Sequence, residues 1–193
     1  MKKALLTLAV AMIAISAVAQ PKFYAGGSLG YTSSSYDGET VISSLAFLPE
    51  VGWAFNQNMA VGMEFGYSAD SEYPMKDAKE TLGQFVLAPY FRYTFLRFGD
   101  VALFGDAKLS YALVNYHTNY SGTTSNDKAN SFGIHIQPGI AYSLNEHISL
   151  VAKLGDVLGF ESSKEKASGA ESYNTFSLLN LSNALSFGCY YNF

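Results

Sequence analysis

Seven charged or titratable side chains are the residues of this chain whose types and spacing could do chemistry. Each lies at an alternate position of a segment rich in apolar residues, a pattern typical of a β-strand with one apolar and one polar face. All seven fall on the polar face: Glu50, Glu64, Arg92, Asp106, Lys108, His135 and Lys153. Three carboxylates there accompany three cations and a histidine, so the charges come close to balance.

Two kinds of chemistry follow from such a cluster. Unpaired charges are costly in a narrow space with little water, so the balanced set predicts a plug of salt bridges and hydrogen bonds. Charged side chains that line a water-filled path can instead select and gate ions. The residue types leave both alternatives open, and we favour the plug.

Nucleophilic catalysis would require a hydroxyl or thiol within hydrogen-bond reach of a base. The chain has three histidines. His147 falls in a predicted turn, His135 lies on the polar strand face, and His117 has no serine two residues on. The sequence shows no nucleophile–base pair, no glycine-rich phosphate loop and no cluster of metal ligands. We therefore expect no enzyme, no cofactor and no metal.

The strands that must position these residues recur as copies of one pattern. Alternating apolar and aromatic residues fill residues 47–55, 87–95, 136–144 and 185–193, and the first three copies carry Pro49, Pro89 and Pro138 at the same place. A spacing of 40 to 49 residues between copies predicts a serial array of hairpins. Because proline removes a ladder hydrogen bond, we expect a bulge or local bend at each of these positions.

Eight strands are predicted, and they are joined by alternating long and short connections. They cover about residues 22–32, 43–55, 59–69, 84–95, 101–115, 131–144 and 148–156, with a last strand that ends at residue 193. The connections 33–38, 70–83, 116–130 and 161–174 are polar loops, whereas the turns at 56–58, 97–100 and 145–147 are short. This plan predicts an all-β fold, an eight-stranded antiparallel transmembrane up-and-down β-barrel with its longer loops outside. We expect a bulge near residues 176–181, where the alternation breaks phase.

A water-soluble barrel of the lipocalin type is the alternative for eight such strands. Its apolar face would point inward, and the charged residues would point outward. More than about thirty large apolar side chains would then have to fit a lumen that eight strands make too narrow. Aromatic residues also cluster at both strand ends, as they do at membrane interfaces. They are Tyr31, Tyr67 and Tyr111 at the outer ends and Trp53, Phe55, Tyr93, Phe95, Tyr142, Tyr191 and Phe193 at the other ends.

The N-terminal segment predicts export. Lys2 and Lys3 precede an apolar run that ends in an A-x-A cleavage pattern before Gln20, so we assign residues 1–19 to a signal peptide and residues 20–193 to the barrel domain. The run is shorter than the roughly 20 apolar residues of a membrane-spanning helix. A net charge of −4 argues against a nucleic-acid partner, and a single cysteine, Cys189, excludes an intrachain disulfide.

The C-terminal strand carries an aromatic or apolar residue at every second position: Phe187, Cys189, Tyr191 and Phe193. With the signal peptide, the eight alternating strands and the recurring Pro-x-apolar-x-aromatic pattern, the chain resembles the small outer-membrane β-barrel proteins of the porin-like superfamily, OmpA-like in their barrel. The resemblance implies location in the outer membrane of a Gram-negative bacterium. It also implies that the four terminal residues form the signal read by the barrel-assembly machinery, with Cys189 departing from the usual large apolar residue.

The sequence therefore predicts a structural or surface-interaction role. The partners would be outer-membrane lipid, the barrel-assembly machinery and an extracellular ligand at the outer loops, while the charge cluster plugs the lumen. The alternative is a small gated pore for ions or small solutes. A lipid A-modifying enzyme is a third hypothesis, because some barrels of the resembled kind act on lipid A with a histidine and a serine. His117 would lie near the outer rim, as that chemistry requires, but it lacks the serine.

Overall fold

The computed structural model describes residues 22–36, 39–75, 78–120, 123–166, 171–180 and 185–193. Within these ranges the chain forms ten β-strands: β1 Lys22–Tyr36, β2 Glu39–Ala54, β3 Met59–Met75, β4 Ala78–Phe98, β5 Val101–Tyr120, β6 Thr123–Ser143, β7 Ile148–Lys153, β8 Asp156–Glu165, β9 Ser172–Asn180 and β10 Ser186–Asn192. None of the described residues belongs to a helix that is long and apolar enough to cross a membrane. The predicted signal peptide, residues 1–19, lies outside the described residues.

Hydrogen-bonded pairing arranges the strands as a closed antiparallel ring. Each strand from β1 to β5 pairs with the next, β6 pairs with both β7 and β8, and β9 and β10 pair with β8 and β7. β10 also pairs with β1, from Tyr24 opposite Asn192 to Leu29 opposite Phe187. β7 and β8 both pair with β6, and β10 and β9 pair with β7 and β8 in turn, so each of these two sets fills one place in the wall. The fold is therefore the predicted eight-stranded antiparallel barrel.

The seventh strand of the barrel is interrupted between β7 and β8. Four residues, 154–157, lie there opposite only two residues of β6, 137–138. The backbone stays hydrogen-bonded, because the Leu154 N–H donates to the Pro138 carbonyl oxygen over 3.0 Å. The two surplus residues explain why the alternation of apolar residues is lost near residue 156 in the sequence.

Side chains alternate between the two faces of the barrel wall. Large apolar side chains are exposed on the outer face, among them Phe47 at 58%, Phe85 at 49% and Ile134 at 44%. Inward side chains are buried, and Phe104 is 1% exposed. An apolar outer belt around a polar interior is the arrangement of a barrel in lipid rather than in water.

The aromatic residues predicted at the strand ends lie on the outer face with one exception. Tyr31 and Tyr67 at the outer side are 69% and 52% exposed, and Phe193 at the opposite side is 71% exposed. Phe55 is instead buried, at 8% exposure. It follows the end of β2 at Ala54, so its side chain no longer obeys the alternation of the strand.

The outer connections differ most from what the sequence predicts. Residues 70–83, predicted as a polar loop, are mostly strand, because β3 runs to Met75 and β4 begins at Ala78. Residues 116–120 and 123–130 likewise belong to β5 and β6, and much of 33–38 and 161–174 belongs to β1, β8 and β9. Above the bilayer both faces of a hairpin meet water. Polar residues on both faces remove the alternation without removing the ladder hydrogen bonds, which is why these strand predictions were too short.

The ladder is interrupted at each of the three strand prolines. Pairing of β2 with β3 lapses at Pro49 and resumes in the same register, and pairing of β4 with β5 does the same at Pro89. Pro138 lies opposite the break between β7 and β8. Of the two predicted alternatives, the bulge is therefore wrong at Pro49 and Pro89, where the missing N–H costs local pairing but leaves the register intact. The local bend stays a prediction.

The bulge predicted near residues 176–181 falls partly outside the described residues. β9 ends at Asn180 and β10 begins at Ser186. Just before this interval Leu179 has a φ of 55°, a left-handed conformation that non-glycine residues rarely adopt. The backbone is thus irregular where the sequence loses its alternation.

Candidate functional site

Six of the seven predicted lumen residues meet at one level of the barrel. They come from five strands: Glu50 from β2, Glu64 from β3, Arg92 from β4, Asp106 and Lys108 from β5, and Lys153 from β7. Their exposure ranges only from 0% for Asp106 to 8% for Arg92. We call these six residues the charge network. Its three carboxylates and three cations sum to no net charge.

Lys153 crosses the lumen and bridges carboxylates from the opposite wall. Glu50 and Glu64 are directly opposed on β2 and β3, an arrangement that is destabilising for like charges. The Lys153 ammonium hydrogen-bonds to Glu50 Oε2 and, over 2.9 Å, to Glu64 Oε2. It also lies 4.0 Å from Asp106 Oδ2. Lys108 donates to both oxygens of Glu64 over 2.8 and 2.9 Å, so each glutamate has a cation partner.

Arg92 forms a bidentate pair with Asp106, its cross-strand neighbour on β5. Its Nε donates to Oδ1 over 2.7 Å, and its Nη2 donates to Oδ2 over 2.8 Å. The same Nη2 donates to the Tyr190 hydroxyl over 3.1 Å. The guanidinium carbon lies 4.0 Å from the centroid of the Phe104 ring. Charge-assisted hydrogen bonds and a cation–π contact therefore hold this guanidinium in one position.

Three tyrosine rings complete the enclosure around Arg92. The ring centroids of Tyr24, Tyr90 and Tyr190 lie 5.6, 5.1 and 5.2 Å from the guanidinium carbon. The Tyr90 hydroxyl donates to Glu50 over 3.3 Å, and it lies 2.8 Å from the Tyr24 hydroxyl. Inward glycines leave the space that these rings and Phe104 occupy, since a Cβ at each would press on a ring: Gly26, Gly52, Gly62 and Gly139.

Two cavities in the described part of the barrel lie on either side of the charge network. The cavity on the side of the short turns has a volume of about 860 Å³ and extends from Arg97 and Glu146 up to Arg92 and Phe104. The cavity on the outer side has a volume of about 200 Å³, and its lining residues are Leu82, Gln84, Val114, Tyr116, Glu161, Ser163, Tyr173 and Thr175. The network is the layer of side chains between these two spaces.

His135 forms a separate cluster on the outer side of the charge network. Its Nε2 lies 2.9 Å from Ser110 Oγ, and its Nδ1 lies 2.7 Å from Asp156 Oδ2. The sequence places His135 beside the network charges, and its cross-strand neighbour is indeed Lys108, but the imidazole contacts a different carboxylate. Sequence reasoning missed this cluster, because Ser110 and Asp156 are 25 and 21 residues from His135. The inward phase of Ser110 is the one signal that the sequence offers.

A family model of the outer membrane protein beta-barrel domain matches residues 4–193. The chain belongs to this family. Membership confirms the resemblance drawn from the sequence and indicates the outer membrane as its location. It leaves the function of the individual chain open.

Solved structures of outer-membrane barrels show the same fold. A major outer membrane protein from Thermus thermophilus is similar with a TM-score of 0.50 and 14% identity, over 91% of this chain and 100% of that one. OprG from Pseudomonas aeruginosa is similar with a TM-score of 0.50 and 15% identity, over 90% and 95%. At such identities the likeness shows the fold alone. No curated protein matches the chain significantly in sequence.

The two other histidines of this outer-membrane barrel lie away from the charge network. His117 Nδ1, near the outer rim, lies 2.6 Å from Asn126 Oδ1, so its partner is an amide. The His147 ring stacks on Tyr191 with centroids 5.5 Å apart, and its Nδ1 lies 2.9 Å from the Asn192 carbonyl oxygen. Across the described residues, no three His, Cys, Asp or Glu side chains are grouped as a metal site would need.

The four residues of the predicted assembly signal lie on the lipid-facing side of the last strand. Phe187, Tyr191 and Phe193 are 61%, 48% and 71% exposed, and Cys189 is exposed as well. The Phe193 N–H donates to the Phe23 carbonyl oxygen over 2.9 Å. The pattern therefore lies at the seam where the last strand closes on the first.

Proposed function

We propose that this chain is a structural or surface-interacting barrel of the outer membrane whose lumen is closed by the charge network. The observation that carries the proposal is the pairing of Lys153 with Glu50 and Glu64 from the opposite wall. An ion on its way through the lumen would have to separate these groups. Removing one partner from a buried ion pair costs about 3–5 kcal/mol, so the pairing favours a closed lumen.

Arg92 supports the same conclusion on the other side of the lumen. Its guanidinium lies among four aromatic rings and is bound by Asp106 and Tyr190. With contacts on several sides, the Arg92 side chain has little freedom to move aside and open an ion path through the lumen. The network thus resembles a structural core more than the wall of a channel.

The outer hairpins provide the surface for interaction. β3 with β4 and β5 with β6 carry polar side chains on both faces beyond the apolar belt, and Glu72, Lys79, Asp127 and Lys128 are all exposed there. Strands that remain paired in a ladder hold such groups in fixed relative positions. Functional groups carried by the outer segments of a rigid scaffold are well placed to contact a polar extracellular ligand.

A small gated pore is the second candidate, and the two cavities favour it. With about 860 Å³ on one side and about 200 Å³ on the other, the charge network is the layer that would have to move. A displacement of Lys153 or Arg92 would then join the two spaces. This candidate requires that the buried ion pairs open on the timescale of conduction.

Single-channel conductance in a planar bilayer tests the two candidates. Folding of the purified protein is first checked by the shift in gel mobility on heating. We expect the wild-type barrel to show no conductance. Arg92→Ala should conduct in discrete steps, because the substitution removes the guanidinium from the space among the four rings. Reproducible steps from the folded wild-type protein would reject the plug and support the pore.

Arg97→Ala is the matched control for this experiment. Arg97 lies on the side of the short turns, where its Nη2 donates to the Gln57 carbonyl oxygen over 2.5 Å. The substitution removes the same charge from outside the network, so we expect no conductance. If both variants conducted alike, the effect would follow from net charge rather than from the plug.

We further propose that residues 1–19 direct export and that Phe187, Cys189, Tyr191 and Phe193 are read during assembly. The exposure of these four side chains along the closing strand supports the second part. Phe193→Ser is expected to lower the amount of heat-modifiable barrel in the outer-membrane fraction, whereas Ser186→Ala, on the inward face of the same strand, should change it little. Equal amounts of barrel from the wild type and Phe193→Ser would count against the assembly signal.

A further inference from the structure

A hydroxyl, an imidazole and a carboxylate lie in line on the outer side of the charge network. We propose that Ser110, His135 and Asp156 form a serine-nucleophile site that hydrolyses small carboxylic esters reaching the lumen from outside. The proposal goes beyond the structural or interaction role and does not depend on it. It rests on the order of the hydrogen bonds, on the space left around the imidazole and on the partial exposure of a cluster that lies beside the outer cavity.

The hydrogen bonds assign a distinct role to each nitrogen of His135. The ionised Asp156 carboxylate only accepts hydrogen bonds, so Nδ1, 2.7 Å from its Oδ2, carries the proton. Nε2 is then free to accept the proton of Ser110, whose Oγ lies 2.9 Å away. A nucleophile, a base and a carboxylate that orients the base are the elements of serine-based acyl transfer, which is recognised by geometry rather than by sequence order.

Gly133 leaves the space in which the imidazole lies, and Gly159 packs against the same ring. Gly133 is the cross-strand neighbour of Ser110, and Gly159 is that of His135. A Cβ on Gly133 would collide with His135 Nε2 and come within 2.5 Å of Ser110 Oγ. A Cβ on Gly159 would meet His135 Nδ1 and Asp156 Oδ2 at ordinary contact distances of 3.5 and 3.6 Å, and its tight contact would be with Ser177 Oγ at 2.6 Å. The wall is therefore shaped so that the imidazole reaches both partners.

The break in the seventh strand brings Asp156 into this cluster. Gly159 lies opposite the inward residue His135, so position 159 also points inward. Asp156 is three positions before Gly159. Strict alternation would therefore point the Asp156 side chain toward lipid. The surplus residues at 154–157 relax that constraint, and the carboxylate turns inward to His135. An ionised group that would otherwise face hydrocarbon is thereby paired with the base.

The cluster is accessible, whereas the charge network is not. The side chains of His135 and Asp156 are 19% and 27% exposed, while those of Glu50 and Asp106 are 0% exposed. Water can therefore reach the imidazole. The network below the cluster separates it from the larger cavity, so that substrate would arrive from the outer side.

The outer cavity indicates the substrate class. Glu161 and Thr175, two of its lining residues, lie on the same cross-strand row as Ser110 and Gly133. The volume of about 200 Å³ suits a short acyl group rather than a long lipid chain, and apolar residues form part of the lining: Leu82, Val114, Tyr116 and Tyr173. Esters of short carboxylic acids fit this combination of size and partly apolar wall.

The reaction balances with water as its only co-reactant. Ser110 Oγ attacks the ester carbonyl carbon while its proton passes to His135 Nε2. The bond from the acyl carbon to the alcohol oxygen breaks, and His135 returns the proton to that oxygen. Water then gives a proton to His135 and attacks the acyl-serine. The carboxylic acid leaves as Ser110 regains its proton.

A fluorophosphonate probe tests the nucleophile on the full-length, folded barrel. The probe forms a bond from phosphorus to a serine oxygen and releases fluoride, and mass spectrometry of the peptides locates the modified serine. We expect labelling at Ser110 in the wild type, none at that position in Ser110→Ala, and a rate at least about 100-fold lower in His135→Ala, since general-base assistance contributes about 10²–10⁴. The same variants should lose hydrolysis of p-nitrophenyl acetate in parallel.

Ser149→Ala and Gly133→Ala separate this chemistry from a purely structural role. Ser149 is another inward serine, but it lies on the other side of the charge network, where its Oγ accepts from Asn192 Nδ2 over 3.1 Å, so Ser149→Ala should label and hydrolyse like the wild type. Gly133→Ala keeps all three reactive groups and displaces the imidazole, so its labelling rate should fall at least about tenfold. Each variant is compared only in its heat-modifiable form. Absence of Ser110 labelling in the folded wild type, or equal rates in the wild type and the conservative variant Asp156→Asn, would overturn the proposal.

Discussion

The charge network and the Ser110–His135–Asp156 cluster occupy neighbouring levels of one lumen, yet they differ in exposure and in composition. In the network the side chains of Glu50 and Asp106 are fully buried, and three cations match three carboxylates. In the cluster the imidazole and the carboxylate remain partly exposed, and a neutral hydroxyl ends the chain of hydrogen bonds. Buried charges that are all paired stabilise a single arrangement of their side chains. A partly exposed chain of hydrogen bonds can instead transfer a proton from the hydroxyl to the imidazole.

The same strand pattern produces both levels. Lys108 belongs to the network, and Ser110, two residues on along β5, belongs to the cluster. The pleat therefore decides only that a side chain points inward. Whether it joins a buried ion-pair network or a reactive site depends on which side chains of other strands contact it. Substitutions in the two levels should therefore differ in their effects.

Lys153→Met should have the largest effect on stability. It removes the cation that bridges Glu50 and Glu64, which then face each other as buried like charges. We expect the free energy of unfolding to fall by about 3–5 kcal/mol, the usual cost of leaving a buried charge without its partner. Denaturant titration of the refolded barrel, followed by its heat-modifiable gel mobility, measures the change.

Lys164→Met is the control for that loss of charge. Lys164 is exposed near the outer end of β8, where a surface substitution usually changes stability by no more than about 0.5 kcal/mol. A drop in Lys153→Met as small as that in Lys164→Met would mean that the network contributes little to the fold.

Gly139→Ala should have an intermediate effect, because it disturbs the network without altering a charge. A Cβ on Gly139 would lie 2.6 Å from Phe104 Cε2, and Phe104 is the ring nearest to the Arg92 guanidinium. Overpacking of this kind costs about 1–3 kcal/mol. Gly105→Ala is the matched control, since its Cβ would meet nothing within 4 Å. Equal stabilities of the two variants, measured by the same titration, would show that the ring is free to move aside.

Asp156→Asn should have the smallest effect on stability, although we expect it to lower the labelling of Ser110. Its partner His135 is partly exposed, so water replaces the lost interaction and the expected change is about 1 kcal/mol or less. Asp106→Asn makes the same chemical change inside the network, where we expect about 3–5 kcal/mol. If Asp156→Asn were as destabilising as Asp106→Asn, the cluster would be a second set of stabilising interactions rather than a reactive site.

The membrane-spanning part of the fold could be predicted because each strand displays its own signal. Alternation along residues such as Phe85, Leu87 and Phe91 reports directly which face meets lipid, and the inward phase of Arg92 follows from its neighbours. No knowledge of distant residues is needed for that step. The prediction was too short at the outer ends, where β3 to β6 continue as hairpins with water on both sides and no alternation marks them.

The pairing of the inward residues could not be predicted, because it joins residues far apart in sequence. Lys153 and Glu50 are 103 residues apart, and they meet because a closed wall brings opposite strands within reach across the lumen. The position of Asp156 was harder to predict, because it lies in a break whose irregular backbone frees its side chain from the direction that alternation assigns to it. Register, closure and irregular backbone are properties of the assembled barrel rather than of any one strand.

The pairing of β1 with β10 has a consequence for the order of events in biogenesis. Tyr190, on the closing strand, reaches Arg92 across 98 residues of sequence, so residues synthesised much later complete the surroundings of that charge. Contacts of such long sequence separation form slowly. A chain that stops before β10 keeps unpaired backbone groups along β1 and β7, which lipid cannot satisfy. Insertion into the membrane is therefore tied to the synthesis of β10, and this strand determines when the barrel becomes a stable membrane protein.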